Sequence, residues 1–174
     1  MKYKLPLLVV ADMERSRKFY EDILGQRVIL DFGANITFEG DFSLQTRESW
    51  RAFIGNSEDT IIFRSNNFEL YFEEKQFDKF VQKLKSYDVK LIHDVREYPW
   101  GQNVIRFYDP DMHIIEVGES MVSVIRRFSD QGLSIEEISE RTQHPLEFVN
   151  SALNEKYQKK LVSVKYPDET KQEN

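Results

Sequence analysis

The sequence contains no cysteine. Disulfide bridges, thiolate metal ligands and cysteine nucleophiles are therefore excluded together. No apolar run approaches the ~20 residues that a membrane-spanning helix requires. No region concentrates the Lys and Arg that a nucleic-acid backbone demands. The formal net charge is −6, and acidic residues outnumber basic ones on both sides of Gly118. A serine–histidine–aspartate pattern, a phosphate-binding glycine loop and a nicotinamide fingerprint are all missing. The first residues hold two lysines and a short apolar run. They lack a small-residue cleavage site and pass directly into an amphipathic segment, so no signal peptide is expected and a cytoplasmic location is.

What is present suits a folded domain. Hydrophobic residues make up 40% of the 174 positions and aromatics 13%, enough apolar surface to offset the entropy of ordering the chain. That length fits one domain with an appendage. Residues 4–10 (KLPLLVV) have the composition of a buried strand. Asp12 is placed to cap a helix in which Ser16, Phe19, Tyr20, Ile23 and Leu24 recur at helical spacing, and Gly25 suits its left-handed end. Strands are predicted at 27–32, 35–39 and 42–46, then an irregular stretch at 47–60 that contains Trp50, then a long strand region at 61–73. A second helix at 76–86, with Phe77, Phe80, Val81 and Leu84 as its apolar stripe, precedes strands at 89–95, 103–108 and 113–118.

The two halves repeat. Phe19 and Phe80, Tyr20 and Val81, Ile23 and Leu84, Val28 and Val89, and Leu30 and Leu91 all pair at one offset of 61 residues (80 − 19). Each half is a strand, a helix and three strands. The predicted fold is α+β: two βαβββ modules, about 3–58 and 59–118, forming an open, curved mixed sheet whose groove is a natural place for a ligand. After Gly118 the pattern is helical. An appendage at 119–157 contains a capping box, Ser134 to Glu137, and a helix with Pro145 in its first turn. Residues 158–174 form a polar tail. Segment 132–153 has the look of a helix-turn-helix, but its second helix (PLEFVNSALNE) carries two glutamates and no basic residue, which predicts packing or dimer bracing and not DNA contact.

Two stretches carry a family resemblance. ADMERSRKFYEDILGQRV, in the first module, and YPWGQNVIRFYDPDMHIIEVGE, which closes the second, resemble the opening and closing motifs of the vicinal-oxygen-chelate superfamily (glyoxalases, bleomycin-resistance proteins and extradiol dioxygenases). The likeness spans residues 3–118, and the helical extension lies outside it. Trp100, Gly101, Asp109, Pro110, Asp111 and Glu116 match. Met112 stands where the family usually has the glycine of the turn, a position that favours positive φ.

The resemblance implies four metal-ligand positions, two on the first strands and two on the last strands of the modules. They fall at Leu5, which cannot ligate; at Gln45; at Phe68 or Glu69; and at Glu116. Gln45, Glu69 and Glu116 are thus the candidate ligands for a divalent ion (Mg, Mn, Ni or Zn, with the hard ions favoured by this donor set), and Glu116 is the candidate catalytic residue. The three histidines, His93, His113 and His144, lie elsewhere. His113 and Glu116, three apart, fall on opposite faces if both belong to one strand. Trp50, Glu69, Tyr71, Trp100, Arg106 and Glu116 are candidate ligand-binding residues, the indoles offering stacking to planar or cationic molecules. With no complete metal set, the expected function is binding of a small aromatic or cationic ligand, in a homodimer, without nucleic acid or membrane. Two alternatives stay open: a metal-dependent lyase, isomerase or dioxygenase that uses Glu116 with Glu69 and Gln45, and a ligand-responsive regulator acting through the C-terminal helices.

Overall fold

The computed structural model of the chain describes residues 1–55 and 61–154. The polar tail and one end of the 47–60 segment lie outside that range. The elements run β1 (Leu7–Val10), α1 (Met13–Asp22), β2 (Val28–Asp31), β3 (Asn35–Phe38), β4 (Phe42–Thr46), α2 (Arg47–Phe53), β5 (Glu69–Glu74), α3 (Phe77–Leu84), β6 (Leu91–Glu97), β7 (Asn103–Tyr108), β8 (Ile114–Glu119), α4 (Met121–Asp130), α5 (Ile135–Thr142) and α6 (Leu146–Leu153). The strands form two open four-stranded sheets, ordered β1-β4-β3-β2 and β5-β8-β7-β6. The second order is the first with each number raised by four, so the repeat seen in the sequence is a repeat of topology. In the first sheet β1 runs parallel to β4, and β3 runs antiparallel to both β4 and β2. No helix among the described residues is long and apolar enough to cross a membrane. The α+β fold of two βαβββ modules followed by helices is thus the observed one.

By internal contacts the chain groups into two units, Met1–Phe72 with Asp78–Asp94 and Arg106–Glu116, and Glu73–Phe77 with Val95–Ile105 and the chain from Val117 onward. The core of the first unit is aromatic. Asp12 caps α1 by accepting from the Arg15 N–H, which presents Ser16, Phe19 and Tyr20 on one buried face. Tyr20 packs on Phe38 and Phe42, which stack at 4.7 Å. Phe19 and Phe80 both meet Phe107. Because side chains alternate along a strand, Phe42 and Leu44 face this core while Ser43 and Gln45 face the other way. Gly25 takes φ +64° beyond α1, with its N–H on the Glu21 carbonyl, as its position in the sequence predicts.

The turn from β7 to β8 is fastened by two buried carboxylates. Asp109 accepts from the N–H groups of Asp111 (2.9 Å) and His113 (2.8 Å), from the Tyr20 hydroxyl (2.9 Å) and from the His113 ring (2.8 Å). Asp111 accepts from the Ala11 N–H, the Ser16 hydroxyl and the Arg15 guanidinium. Met112 completes the turn at φ +68°. The methionine occupies the left-handed conformation that a glycine would take without strain.

In the second unit, α4, α5 and α6 enclose Val124, Ile125, Phe128, Ile138 and Val149, all fully buried or nearly so. Ser120 caps α4, and the predicted capping box of Ser134 and Glu137 is present at α5. Gly101 lies against the Phe128 ring at φ +84°; a Cβ there would come within 2.1 Å of the ring. Arg127 donates to the Gly101 carbonyl and pairs with Glu119, and Arg141 lies 4.2 Å over Phe128.

Four sequence expectations need correction. The stretch after residue 46 is not irregular throughout, because α2 occupies Arg47–Phe53, with Thr46 extended before it and Glu48 and Arg51 at the ends that suit the helix dipole. Trp50 therefore sits on a helix. The strand region at 61–73 shrinks to β5, because Arg64 and Asn66 take positive φ and break the ladder. Pro145 precedes α6 as its cap residue and does not lie within the first turn. His113 falls in the turn before β8, not on the strand.

Three stability measurements test these contacts. Gly101→Ala should cost about 2–4 kcal/mol in denaturant unfolding, from the clash with Phe128 added to the unfavourable φ. Met112→Gly should stabilise by about 0.5–1 kcal/mol. Burial, aided by the Asp109 charge, pushes the Tyr20 phenol well above the ordinary tyrosine range. A raised value stabilises fully below the unfolded-state value, about 10, and its contribution is lost as pH rises toward the folded one. Stability should thus fall above about pH 10, and Tyr20→Phe should flatten that fall while costing about 1 kcal/mol at neutral pH.

Candidate functional site

The alternation of β5, β7 and β8 places one set of side chains in the core and the other on the opposite face. Leu70, Phe107 and Ile115 are buried core residues. Glu69, Tyr71, Arg106 and Glu116 alternate with them and share the non-core face. Their centre is the Arg106 guanidinium. Its Nε donates to Glu69 at 3.1 Å, one terminal nitrogen pairs with the Glu116 carboxylate, and the other faces His93 Nε2 at 3.3 Å. The His93 Nδ1–H donates to the Asp94 carbonyl oxygen at 2.7 Å, which leaves the Nε2 lone pair toward Arg106. Glu116 is 7% exposed. The Glu69 side chain is 41% exposed, and Tyr71 is 48% exposed.

Two carboxylates thus share one guanidinium, and the cluster holds an excess of negative charge. A carboxylate as buried as Glu116 requires such a partner, since desolvation of an unpaired charge costs several kcal/mol. The Glu69 side chain is exposed on one side, and the half-exposed Tyr71 lies two residues along the same strand face.

The remaining candidates lie as follows. Gln45 is 4% exposed. Its amide oxygen, the end that would ligate an ion, accepts from Asn35 at 2.8 Å, and its amide nitrogen donates to Ser49. Leu5 precedes β1, whose Leu7 and Val9 lie opposite Ser43 and Gln45, so no ligating side chain is available there in either register. Phe68 precedes β5, and it is Glu69 that reaches Arg106. Trp50 is partly exposed on α2. Trp100 stacks on Tyr98 at 4.8 Å, donates to Gln102 and packs against the helical core of the second unit; these are the contacts of a packing residue. His113 is held by Asp109, and His144 donates to the Thr142 carbonyl and lies against Phe148. His93 is the member of the cluster that sequence inspection passed over. Only the order of strands, which sets β6 beside β7, could have shown that it meets Arg106.

A divalent ion does not fit this donor set as it stands. Among the described residues no three His, Asp or Glu side chains are grouped to hold one. The two best-placed carboxylates are turned onto a guanidinium, and the Gln45 oxygen is engaged elsewhere. An open recess of about 380 Å³ in the same unit, lined by Arg15, Phe19, Ile23, Tyr87 and Lys90 among others, adds no ligating cluster, since Asp109 at its edge is committed to the turn.

The model of the glyoxalase-like domain matches residues 3–122. A protein of unknown function from Agrobacterium tumefaciens str. C58 is 38% identical, with 69% of this chain and 94% of that chain covered and a TM-score of 0.63. A glyoxalase-related enzyme from Fulvimarina pelagi shares the fold at 17% identity, 70% and 91% coverage and a TM-score of 0.59. So does a lactoylglutathione lyase from Agrobacterium tumefaciens, at 18%, 67% and 92%, and 0.53. No curated protein matches the sequence. With the paired modules, the closing turn and the family model all in agreement over the same residues, the chain belongs to the glyoxalase-like family.

Proposed function

We propose that this chain is a small-molecule-binding member of its family that works without a bound metal ion. Its ligand is held on the face of the second sheet that carries Glu69, Tyr71, Arg106 and Glu116. The observation behind this proposal is the placement of Arg106: a guanidinium already pairs with the two carboxylates that a divalent ion would need. The surplus negative charge favours a ligand with an ammonium or other donor group, directed at the exposed side of Glu69, and the Tyr71 ring suits a planar body stacked beside it. Glu116 then acts as an anchor that holds Arg106 in place, not as a proton-transfer group. Trp50 is a second aromatic available to the ligand, whereas Trp100 is not required. We propose a homodimer, supported by the exposed apolar residues Ile29 and Leu30 on the edge strand β2.

Metal analysis and native mass spectrometry of the purified protein, with and without added Mn, Ni and Zn, provide the test. The expected result is no stoichiometric ion under any of these conditions, together with retention of a small organic molecule that Glu69→Ala releases. A tightly held ion that is lost on Glu116→Ala would overturn the proposal in favour of a metal-dependent lyase, isomerase or dioxygenase.

A further inference from the structure

Arg15, Phe19 and Ile23 follow one another at steps of four residues, so they form one stripe along α1 and its C-terminal cap. The connection from α3 to β6 is held to the end of β7 by a hydrogen bond from the Tyr108 N–H to the Lys90 carbonyl oxygen, at 2.9 Å. The α1 stripe, this connection and Tyr108 together line the open recess of about 380 Å³. All of its lining residues belong to the first unit, and none of them is Glu69, Tyr71, Arg106 or Glu116. Its volume falls in the range of about 300–1,000 Å³ found for small-molecule pockets. The occupant that fits is a small molecule and not a chain segment.

The lining is mostly apolar. Phe19, Ile23 and Tyr108 are nearly fully buried, and Val89 is half-buried. Two cations stand among them. Arg15 gives one terminal nitrogen to Asp111, at 2.9 Å, and its side chain is 49% exposed. A guanidinium has five N–H donors, so most of those on Arg15 remain for another acceptor. Lys90 is exposed and lies 5.8 Å over the Tyr108 ring; it has no ion pair among the described residues. Arg64 approaches the same ring at 5.9 Å and adds a third positive charge nearby. Two carboxylates also line the recess, Asp88 and Asp109. Asp109 is spent on the turn, where it accepts four hydrogen bonds. Asp88 alone therefore opposes two cations.

We infer that this recess is a second ligand site and takes a small aromatic carboxylate. The ring lies against Phe19, Ile23 and Val89, and the acid group meets Lys90 and the open side of Arg15. The inference does not rest on the reading of the Arg106 cluster, and the two sites select opposite charges. Glu69 calls for a donor on its ligand, whereas Lys90 and Arg15 call for an acceptor. Carboxylates suit such a pair because a guanidinium and an ammonium each donate a charge-assisted hydrogen bond. The apolar walls supply the remaining affinity by removing the ring from water.

The test uses naphthoate as the probe and naphthamide as its uncharged counterpart, each titrated calorimetrically into the full chain. Amide chemical shifts of the isotope-labelled protein locate the site. Naphthoate should bind saturably, one per chain, and naphthamide about 5-fold more weakly. Lys90→Glu, a change at an exposed position, should weaken naphthoate by at least ~5-fold and leave naphthamide little changed. Shifts should centre on Ile23, Val89 and Lys90. A chain that binds no naphthoate saturably, that takes acid and amide alike, or that loses both equally on Lys90→Glu overturns the inference. Shifts centred on Tyr71 and Arg106 overturn it as well, because they place the acid on the other cluster. The acid–amide comparison is made on the wild-type chain and needs no variant to fold.

Discussion

Asp109 and Asp111 lie two residues apart in one turn, both nearly fully buried, and much of the structure depends on how their charges are satisfied. Burying two carboxylates this close would be prohibitive unless each accepted several hydrogen bonds. Besides the turn's own Asp111 and His113, four donors come from the first module: the Tyr20 and Ser16 hydroxyls, the Arg15 guanidinium and the Ala11 N–H. Their positions require α1 to be capped and phased as it is, with Ser16 and Tyr20 on one face. The same α1 face carries Phe19 onto Phe107 of β7. The turn therefore couples the helix of one module to the strands of the other, and it holds its shape even with methionine in a conformation suited to glycine. The network of acceptors outweighs the strain of one residue.

With the turn fixed, β7 and β8 leave it in set phase. Phe107 and Ile115 go to the core and Arg106 and Glu116 to the opposite face. Arg106 then solves the same electrostatic problem at that face that Tyr20, Ser16 and Arg15 solve at the turn, by supplying a partner for a buried acid. The difference is that Glu69 and Tyr71 remain open to solvent there. Both carboxylates at the turn are buried among donors, whereas the Glu69 side chain at Arg106 is 41% exposed, which is the basis for proposing a ligand there. The helices of the second unit form a separate core in which Gly101 admits the Phe128 ring and Arg127 satisfies both Glu119 and the Gly101 carbonyl.

Much of this was legible in the chain. Periodicity marks α1 and α3, the 61-residue offset marks the repeated module, and DPDM marks the closing turn, because each depends on residues close together along the sequence or on a pattern repeated within it. The errors have a common origin. Glu48 and Arg51 support a helix that a stretch without strong apolar periodicity conceals. Arg64 and Asn66 break a strand that the apolar residues around them suggest, since positive φ at a non-glycine residue leaves no compositional trace.

Sequence by itself determined the fold, the family and the identity of Glu69, Arg106 and Glu116 as residues worth attention, because strand alternation and motif order are properties of the linear chain. Tertiary structure decided which partners those residues meet. Whether a carboxylate meets a metal ion or an arginine depends on which strands are neighbours, and the order β5-β8-β7-β6 brings together residues 69, 93, 106 and 116 in a way no local pattern specifies. It decided likewise that the Gln45 oxygen is spent on Asn35, that His93 belongs to the cluster and that Trp100 packs against helices. In each case the outcome is set by a partner distant in sequence, and the energy of a polar or charged group is governed by the partner it meets.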